Sequence, residues 1–318
     1  MAQDNLRVEG PTALGAAVAR AERHSWWERN QRRVAPYLFI SPFYILYLIF
    51  FAAPAVFAVI LSFNEWDGAD PIQWRGLSNY TNLLGDAIFQ QAVVNTLFYM
   101  VVSVFIGGPL ALGLALILNA RFTKGKGFFR TLYFIPVVTP IVAVASMFIL
   151  IFDNDFGLIN STLKLLGLPT VYWLGDPLSA KIALSVLLVW EGLGVGLIYY
   201  VAGLQGVPQD LIEAARVDGA TYWQGFWNVT IPALKPVILF TTVIGIIGAA
   251  QIYSEPAILL NGGNGPANGT ISIVQYLYQQ GYQNLRFGYA SAMGVISFVV
   301  IFGISILQVR LFGAFRED

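Results

Sequence analysis

Leu211-Ile-Glu-Ala-Ala-Arg-Val-Asp-Gly219, continued by Ala220-Thr-Tyr-Trp-Gln-Gly-Phe-Trp-Asn-Val-Thr-Ile-Pro232, is a short polar island in a chain made mostly of long apolar runs. Pro208 suits the first turn of a helix, where a missing N–H is no loss, and Leu211 to Asp218 are mostly good helix formers. Gly219 supplies a left-handed stop, and Pro232 limits how far the following segment continues unbroken. The pattern predicts a helix, a tight turn and a second short helix, exposed to water between two membrane spans.

Outward from that island, composition sets the class. Hydrophobic residues make up 57% of the chain and charged residues 11%, far from the balance of a soluble domain. A formal charge of zero leaves no electrostatic footprint for nucleic acid. The absence of cysteine removes disulfide frameworks, thiolate metal sites and cysteine nucleophiles together. Six apolar runs reach the roughly 20 residues that a bilayer crossing needs: 38–62, 94–118, 131–152, 181–204, 237–253 and 289–312. Backbone groups in lipid must bond within their own segment, so the expected fold is an all-α polytopic membrane protein with six transmembrane helices.

Residues 1–36 form a polar tail, and 37–318 the six-span domain with its polar hairpin at about 205–234. Arg20, Arg23, Arg29, Arg32 and Arg33 stand with Trp26 and Trp27 just before the first run, a pattern of anchoring at the inner membrane surface. A regulatory amphipathic helix is the alternative for the tail, and His24 reads as a solvated residue within it. The first run is not a cleaved signal peptide, because its apolar core is too long and a polar tail with Asp4 and Glu9 precedes it.

Basic residues orient the chain. With both termini inside, the inner segments hold Arg7, the five tail arginines, Arg121, Lys124, Lys126, Arg130, Arg216, Lys235, Arg310 and Arg316, fourteen of the eighteen. The outer side keeps only Arg75, Lys164, Lys181 and Arg286, and is acidic through Glu65, Asp67, Asp70, Asp86, Asp153, Asp155, Asp176 and Glu255. The hairpin around Gly219 then faces the cytoplasm. The glycine-rich stretch 261–269 reads as an external loop.

Catalytic chemistry is nearly absent. One histidine and no cysteine exclude two-histidine zinc patterns and Cys-His pairs. Lys124-Gly-Lys-Gly127 lacks the spacing and hydroxyl of a phosphate loop, so energy from ATP must enter from a partner. Asp153-Asn-Asp155 lacks the remaining ligands of a calcium loop and reads as a solvated turn.

The island resembles the EAA loop of ABC importer permeases. Glu213, Ala214 and Ala215 match its opening, Gly219 its glycine, and Val229, Ile231 and Pro232 its apolar-x-apolar-Pro close. Trp74-Arg-Gly-Leu-Ser-Asn-Tyr80, Asn95-Thr96, Gly265-Pro266 to Thr270, Tyr276-Leu-Tyr-Gln-Gln280 and Phe287-Gly-Tyr-Ala-Ser-Ala292 resemble carbohydrate importers of the maltose and glycerol-phosphate type, although Asn264 interrupts the glycines usual there. The resemblance runs from about residue 36 to the C-terminus. It implies a type I importer transmembrane domain in the prokaryotic cytoplasmic membrane, with no cofactor of its own. Its implied partners are a non-identical sibling permease, two ATPase subunits carrying ATP and Mg, an external solute-binding protein and membrane lipid. Glu213, Ala214, Ala215, Asp218 and Gly219 would then form the coupling helix that meets an ATPase.

A solute path is argued from physics. Glu191 lies ten residues from the outer end of run 181–204 and thirteen from the inner. A carboxyl at that depth costs on the order of 3 kcal/mol, so it should face the bundle interior or a watery cavity. Its helical neighbours Leu187, Leu188, Gly194 and Val195 cannot pair with it, so a partner comes from another helix, a solute or water. Trp190 beside it would suit a sugar ring, and packing within the bundle is the alternative for both. Gln251, Tyr253 and Ser254 close the fifth run with donors and acceptors that either line the path or anchor the interface. Gly192, Gly194 and Gly196 permit close helix contact. The competing class is an ion-gradient-driven secondary transporter or channel with Glu191 as its ion site.

Overall fold

A computed structural model describes residues 26–120 and 125–312. Most of the tail, with Arg20, Arg23 and His24, and also Arg121, Lys124 and Arg316, lie outside the described residues. The chain divides into two compact units, residues 1–57 and 58–318.

Among the described residues five helices are long and apolar enough to cross a membrane: α1 (Asn30–Leu61), α3 (Ala87–Asn119), α7 (Pro177–Gln205), α9 (Tyr222–Ala250) and α12 (Phe287–Leu311). Helix α1 is the tail end of a helix that starts at Trp26, ten residues before the expected end of the polar tail. The shorter helices are α2 (Ser78–Gly85), α6 (Leu158–Leu165), α8 (Gln209–Val217), α10 (Ser254–Leu259) and α11 (Ile273–Tyr278). The third expected span is instead a bent pair, α4 (Lys126–Val138) and α5 (Ile141–Ile151), meeting at 101°. Thr139 between them is extended, with φ −87° and ψ 129°. A residue that precedes a proline, here Pro140, clashes in the helical region and is pushed out of it. The bend gives six crossings when the pair counts as one.

Prolines inside the other spans are absorbed rather than obeyed. Single π turns at Leu48–Ala52, Ser103–Gly107 and Phe226–Thr230 stand just ahead of Pro54, Pro109 and Pro232. In each, the residue before the proline donates its N–H five residues back: Ala53 to Leu48, Gly108 to Ser103 and Ile231 to Phe226. The inserted residue moves the carbonyl that the proline ring would strike and removes the need for its missing N–H. Pro232 therefore does not end a short second helix, as expected from sequence. Residues 222–250 run as one helix, and what looked like a separate hairpin arm is the inner end of the fifth span.

On the outer side the motif segments converge. Strands β1 (Asn64–Glu65) and β2 (Gln73–Trp74) pair antiparallel, with Asn64 opposite Trp74. Asn79 donates to the carbonyls of Ser62 and Asn64 at 3.0 and 2.9 Å. The glycine-rich stretch is exposed or half-buried through residue 268, and its far end is pinned to α3. Asn95 donates to the Asn268 and Ile271 carbonyls at 3.1 and 3.0 Å, and Thr96 Oγ1 accepts the Ile273 N–H at 3.1 Å. Thr270, Ile271 and Ser272 are fully buried. Asn264, where the motif has glycine, holds the loop through Asn268 and Gln279.

Asp86 ties this outer layer to α3. Its Oδ1 caps the helix by accepting the Ile88 and Phe89 N–H groups at 2.9 and 3.2 Å. Its Oδ2 accepts the Tyr276 and Tyr289 hydroxyls at 2.6 and 2.7 Å. Burial raises this carboxyl, but those four hydrogen bonds more than offset it, and Asp86 titrates below its ordinary value. Asp86→Ala removes the cap and strands two hydroxyls, an expected loss of about 2–4 kcal/mol read as a lowered thermal midpoint in detergent. Because the folded carboxyl titrates below the unfolded one, its contribution is intact above about pH 4. It is lost as pH falls through the lower folded value, so the gap between Asp86→Ala and the parent closes in acid.

Candidate functional site: the polar hairpin and the expected solute residues

Helix α8 ends as the glycine predicts. Gly219 sits at φ +82°. Its N–H donates to the Arg216 carbonyl at 3.0 Å, and the Ala220 N–H reaches back to the Ala215 carbonyl at 2.9 Å, the paired closure of a Schellman turn. Thr221 then caps α9, its hydroxyl and backbone exchanging hydrogen bonds with Gln224 in a capping box. Two strong caps back to back fix the angle between α8 and α9 within a few residues.

The faces of α8 divide by role. Ile212 turns inward, and with Val207 it packs on a cluster of Leu118, Leu197, Tyr200, Leu204 and Leu234, contributed by α3, α7 and α9. Glu213, Ala214, Asp218 and Gly219 are exposed, and Ala215 is half-buried. Val217 at the end of α8 and Trp223 and Trp227 beyond the turn stand open, at 87%, 66% and 60% exposure. The hairpin thus presents a slim surface with the carboxylates of Asp210, Glu213 and Asp218 and a fringe of large apolar groups. Its inner face is joined to three spans at once. Sequence reasoning identified the outer face but missed Ile212 and Val207, whose signal was only their apolar character in a polar segment.

The expected solute residues separate into two groups. Helix α9 ends at Ala250, so Gln251 is its exposed C-cap rather than part of the span, which sequence carried to 253. Tyr253 turns toward Tyr278, with ring centroids 4.9 Å apart, and Tyr278 stacks on Tyr282 at 5.3 Å. Ser254 begins α10 and is half-buried. Trp190 packs on Phe148 at 5.8 Å, which leaves less of its face free for a sugar.

Glu191 is half-buried. Helix α10, which carries Glu255, packs against α5 and α7. Glu255 Oε2 is buried with no hydrogen-bond partner. Sequence placed Glu255 among the outer acidic residues and gave no hint of this packing, since 64 positions separate it from Glu191. Gly194 and Gly196 do allow close approach: a Cβ would lie 2.7 Å from Val137 at the first and 2.9 Å from Ala111 at the second. Gly192 meets nothing within 4 Å. Asp153 accepts the Asp155 and Phe156 N–H groups at 2.9 Å each, a turn. Among the described residues no group of three or more acidic or histidine side chains could hold a metal.

Comparison with known proteins places these features. Residues 107–316 match the family described as binding-protein-dependent transport system inner membrane component. The chain is 36% identical to the arabinooligosaccharides transport system permease protein AraP of Halalkalibacterium halodurans, over 91% of this chain and 90% of that one. It is 35% identical to the lactose transport system permease protein LacF of Rhizobium radiobacter, over 88% and 94%. In three dimensions it superposes with a TM-score of 0.78 and 28% identity on a chain of a bacterial ABC transporter involved in the import of the acidic polysaccharide alginate. That match covers 91% of this chain and 98% of the other.

Proposed function

The chain belongs to the binding-protein-dependent transport system inner membrane component family, and from that premise we propose that it passes a saccharide inward through an ATP-driven importer. Its partners are a non-identical sibling permease, two ATPase subunits that carry ATP and Mg, and an external solute-binding protein. A bacterial alginate ABC transporter that this chain resembles was solved in complex with an alginate pentasaccharide-bound periplasmic protein. Relatives named for arabinooligosaccharides, lactose and trehalose or maltose support a sugar as the cargo.

The observation that carries the mechanism is the hairpin's two-sided attachment. A push on the face of Glu213 and Ala214 reaches the core shared by α3, α7 and α9 through Ile212 and Val207. Packed cores shift between discrete arrangements rather than deforming continuously, so the spans tilt as near-rigid bodies and expose the path to one side at a time. ATP biases that equilibrium only by the difference in its affinity for the two states.

Glu213→Lys tests the contact. Uptake in proteoliposomes with the ATPases should fall by about tenfold or more, because truncating or inverting a buried interfacial charge costs about 2–5 kcal/mol, while the amount of chain in the membrane stays unchanged. Unaltered uptake would remove Glu213 from the contact. Accumulation of sugar by the chain alone, driven by an ion gradient, would favour a secondary transporter and end the ATPase assignment.

A further inference from the structure

The β1–β2 hairpin, α2 and the start of α12 bound a cavity of about 470 Å³ on the outer side. That is within the roughly 300–1,000 Å³ of small-molecule sites. Hydrogen-bonding side chains dominate its wall, among them Asp70, Gln73, Ser78, Asn82 and Arg286, and Trp66 lines it too. From Trp66 a row of aromatic rings leads to Tyr253, just past the end of α9. Ring centroids stand 5.4 Å apart from Trp66 to Phe287, 6.1 Å from Phe287 to Tyr282, 5.3 Å from Tyr282 to Tyr278 and 4.9 Å from Tyr278 to Tyr253. Building on the saccharide reading, we propose that cavity and row together form a receiving site for an oligosaccharide on the outer face, where the cargo lands before it enters the spans.

The fold does not need these rings for its own packing. Tyr276 and Tyr289 in the same region are buried and spend their hydroxyls on Asp86. Tyr278, which ends α11, and Tyr282, in the π turn Gln279–Gln283 that follows, point outward instead, 37% and 67% exposed. Their rings are stacked within 26° of parallel. Large rings left in a row on a surface mark a contact site. A sugar has an apolar C–H face and a rim of hydroxyls, and tyrosine answers both with a rigid apolar ring and a polar tip. An oligosaccharide can shift from one ring to the next without losing contact at any step.

Charge in the cavity favours hydroxyls over an ion. Arg75 is spent on Glu65 at 2.8 Å, and Arg286 donates to Gln280 at 3.2 Å and lies over the Tyr289 ring. Asp67 accepts the Ala69 and Asp70 N–H groups of its own turn at 3.0 and 2.8 Å. An anion or cation would meet counter-charges already engaged, whereas the amides of Gln73 and Asn82 and the Ser78 hydroxyl both donate and accept.

The test uses the importer assembled in nanodiscs with its sibling and ATPases but without the binding protein. Arabinotriose bearing a diazirine is photocrosslinked, and the labelled peptides are mapped by mass spectrometry. Label should fall within residues 64–82 and 276–289 and be displaced by unmodified arabinotriose. Tyr282→Ala and Asn82→Ala, both at exposed positions, should each cut that label by about tenfold, as truncating an aromatic or polar anchor of a small contact does, with the amount of inserted chain unchanged. Label confined to the spans, no label, or label untouched by both variants overturns the proposal. So does unchanged labelling with lost capture of the binding protein, which would make the cavity a protein-docking surface. Uptake of arabinotriose by the complete importer, with its binding protein and ATP, tells the two readings apart. Normal uptake without outer label sinks only the receiving site, and absence of uptake for arabinotriose and lactose alike sinks the saccharide reading and this inference with it.

Discussion

Gly219→Pro is expected to abolish ATP-driven uptake, to below about one hundredth of the parent, while the chain still inserts. Gly219 holds φ +82°, and proline fixes φ near −65°. The substitution also deletes the N–H that donates to Arg216, and it displaces Ala220 from the Ala215 carbonyl. Both bonds of the Schellman turn go, and α8 can no longer meet α9 at its capped angle. Nothing else suffers, because space around Gly219 is open, with no heavy atom within 4 Å of where a Cβ would stand. Loss of function therefore should not coincide with loss of protein. Gly219→Asn is the matching control, since asparagine tolerates the left-handed region, and should retain a substantial part of the uptake. Transport per unit of membrane-inserted chain separates these outcomes. Normal uptake with proline at 219 would mean that the angle between α8 and α9 carries no force.

Gly288→Val should prevent stable folding. A Cβ at 288 would stand 1.9 Å from the Asn64 carbonyl oxygen and 3.2 Å from that of Leu61, both backbone atoms that no rotamer change can move aside. This close approach sets α12 against β1, where the Phe287 N–H also donates to the Trp66 carbonyl at 3.0 Å. Forced overpacking of this kind falls in the severe range, about 4 kcal/mol or more, enough to exhaust a typical domain's margin. The expected result is little monodisperse chain by fluorescence-detected gel filtration. Gly294→Ala on the same helix meets only Leu277 Cδ1 at 3.6 Å and should leave the yield unchanged. Equal yields of the two variants would mean that α12 and β1 are not packed as described.

How legible each feature was depends on the range of the interactions behind it. Six apolar runs and the Gly219 stop are local signals, and the helices and the turn followed them closely. Pro140 and Pro232 gave the same local signal with opposite outcomes: the chain breaks at Thr139 yet runs straight through Pro232. At Pro232 a π turn precedes the proline and at Pro140 none does, while Pro42, Pro136 and Pro236 sit within helices without one. The glycine-rich stretch was read by composition as an outer loop. The burial of the residues just beyond it, 270–273, came from Asn95, Thr96 and Tyr99, which lie more than 170 residues away in sequence.

Sequence alone determined that this chain is a bundle of apolar helices, which side each loop faces, and where a water-exposed hairpin would offer Glu213 to a motor. Those properties are sums over neighbouring residues: the cost of burying backbone and charge in lipid, and the φ that only glycine accepts easily. Tertiary structure alone decided that Ile212 and Val207 seat the hairpin on a core shared by three spans, and that α10, with one Glu255 oxygen buried and unpartnered, packs against α7. Such pairings depend on how helices from distant parts of the chain pack. The energy of a carboxyl in a membrane is set by what another helix brings to it.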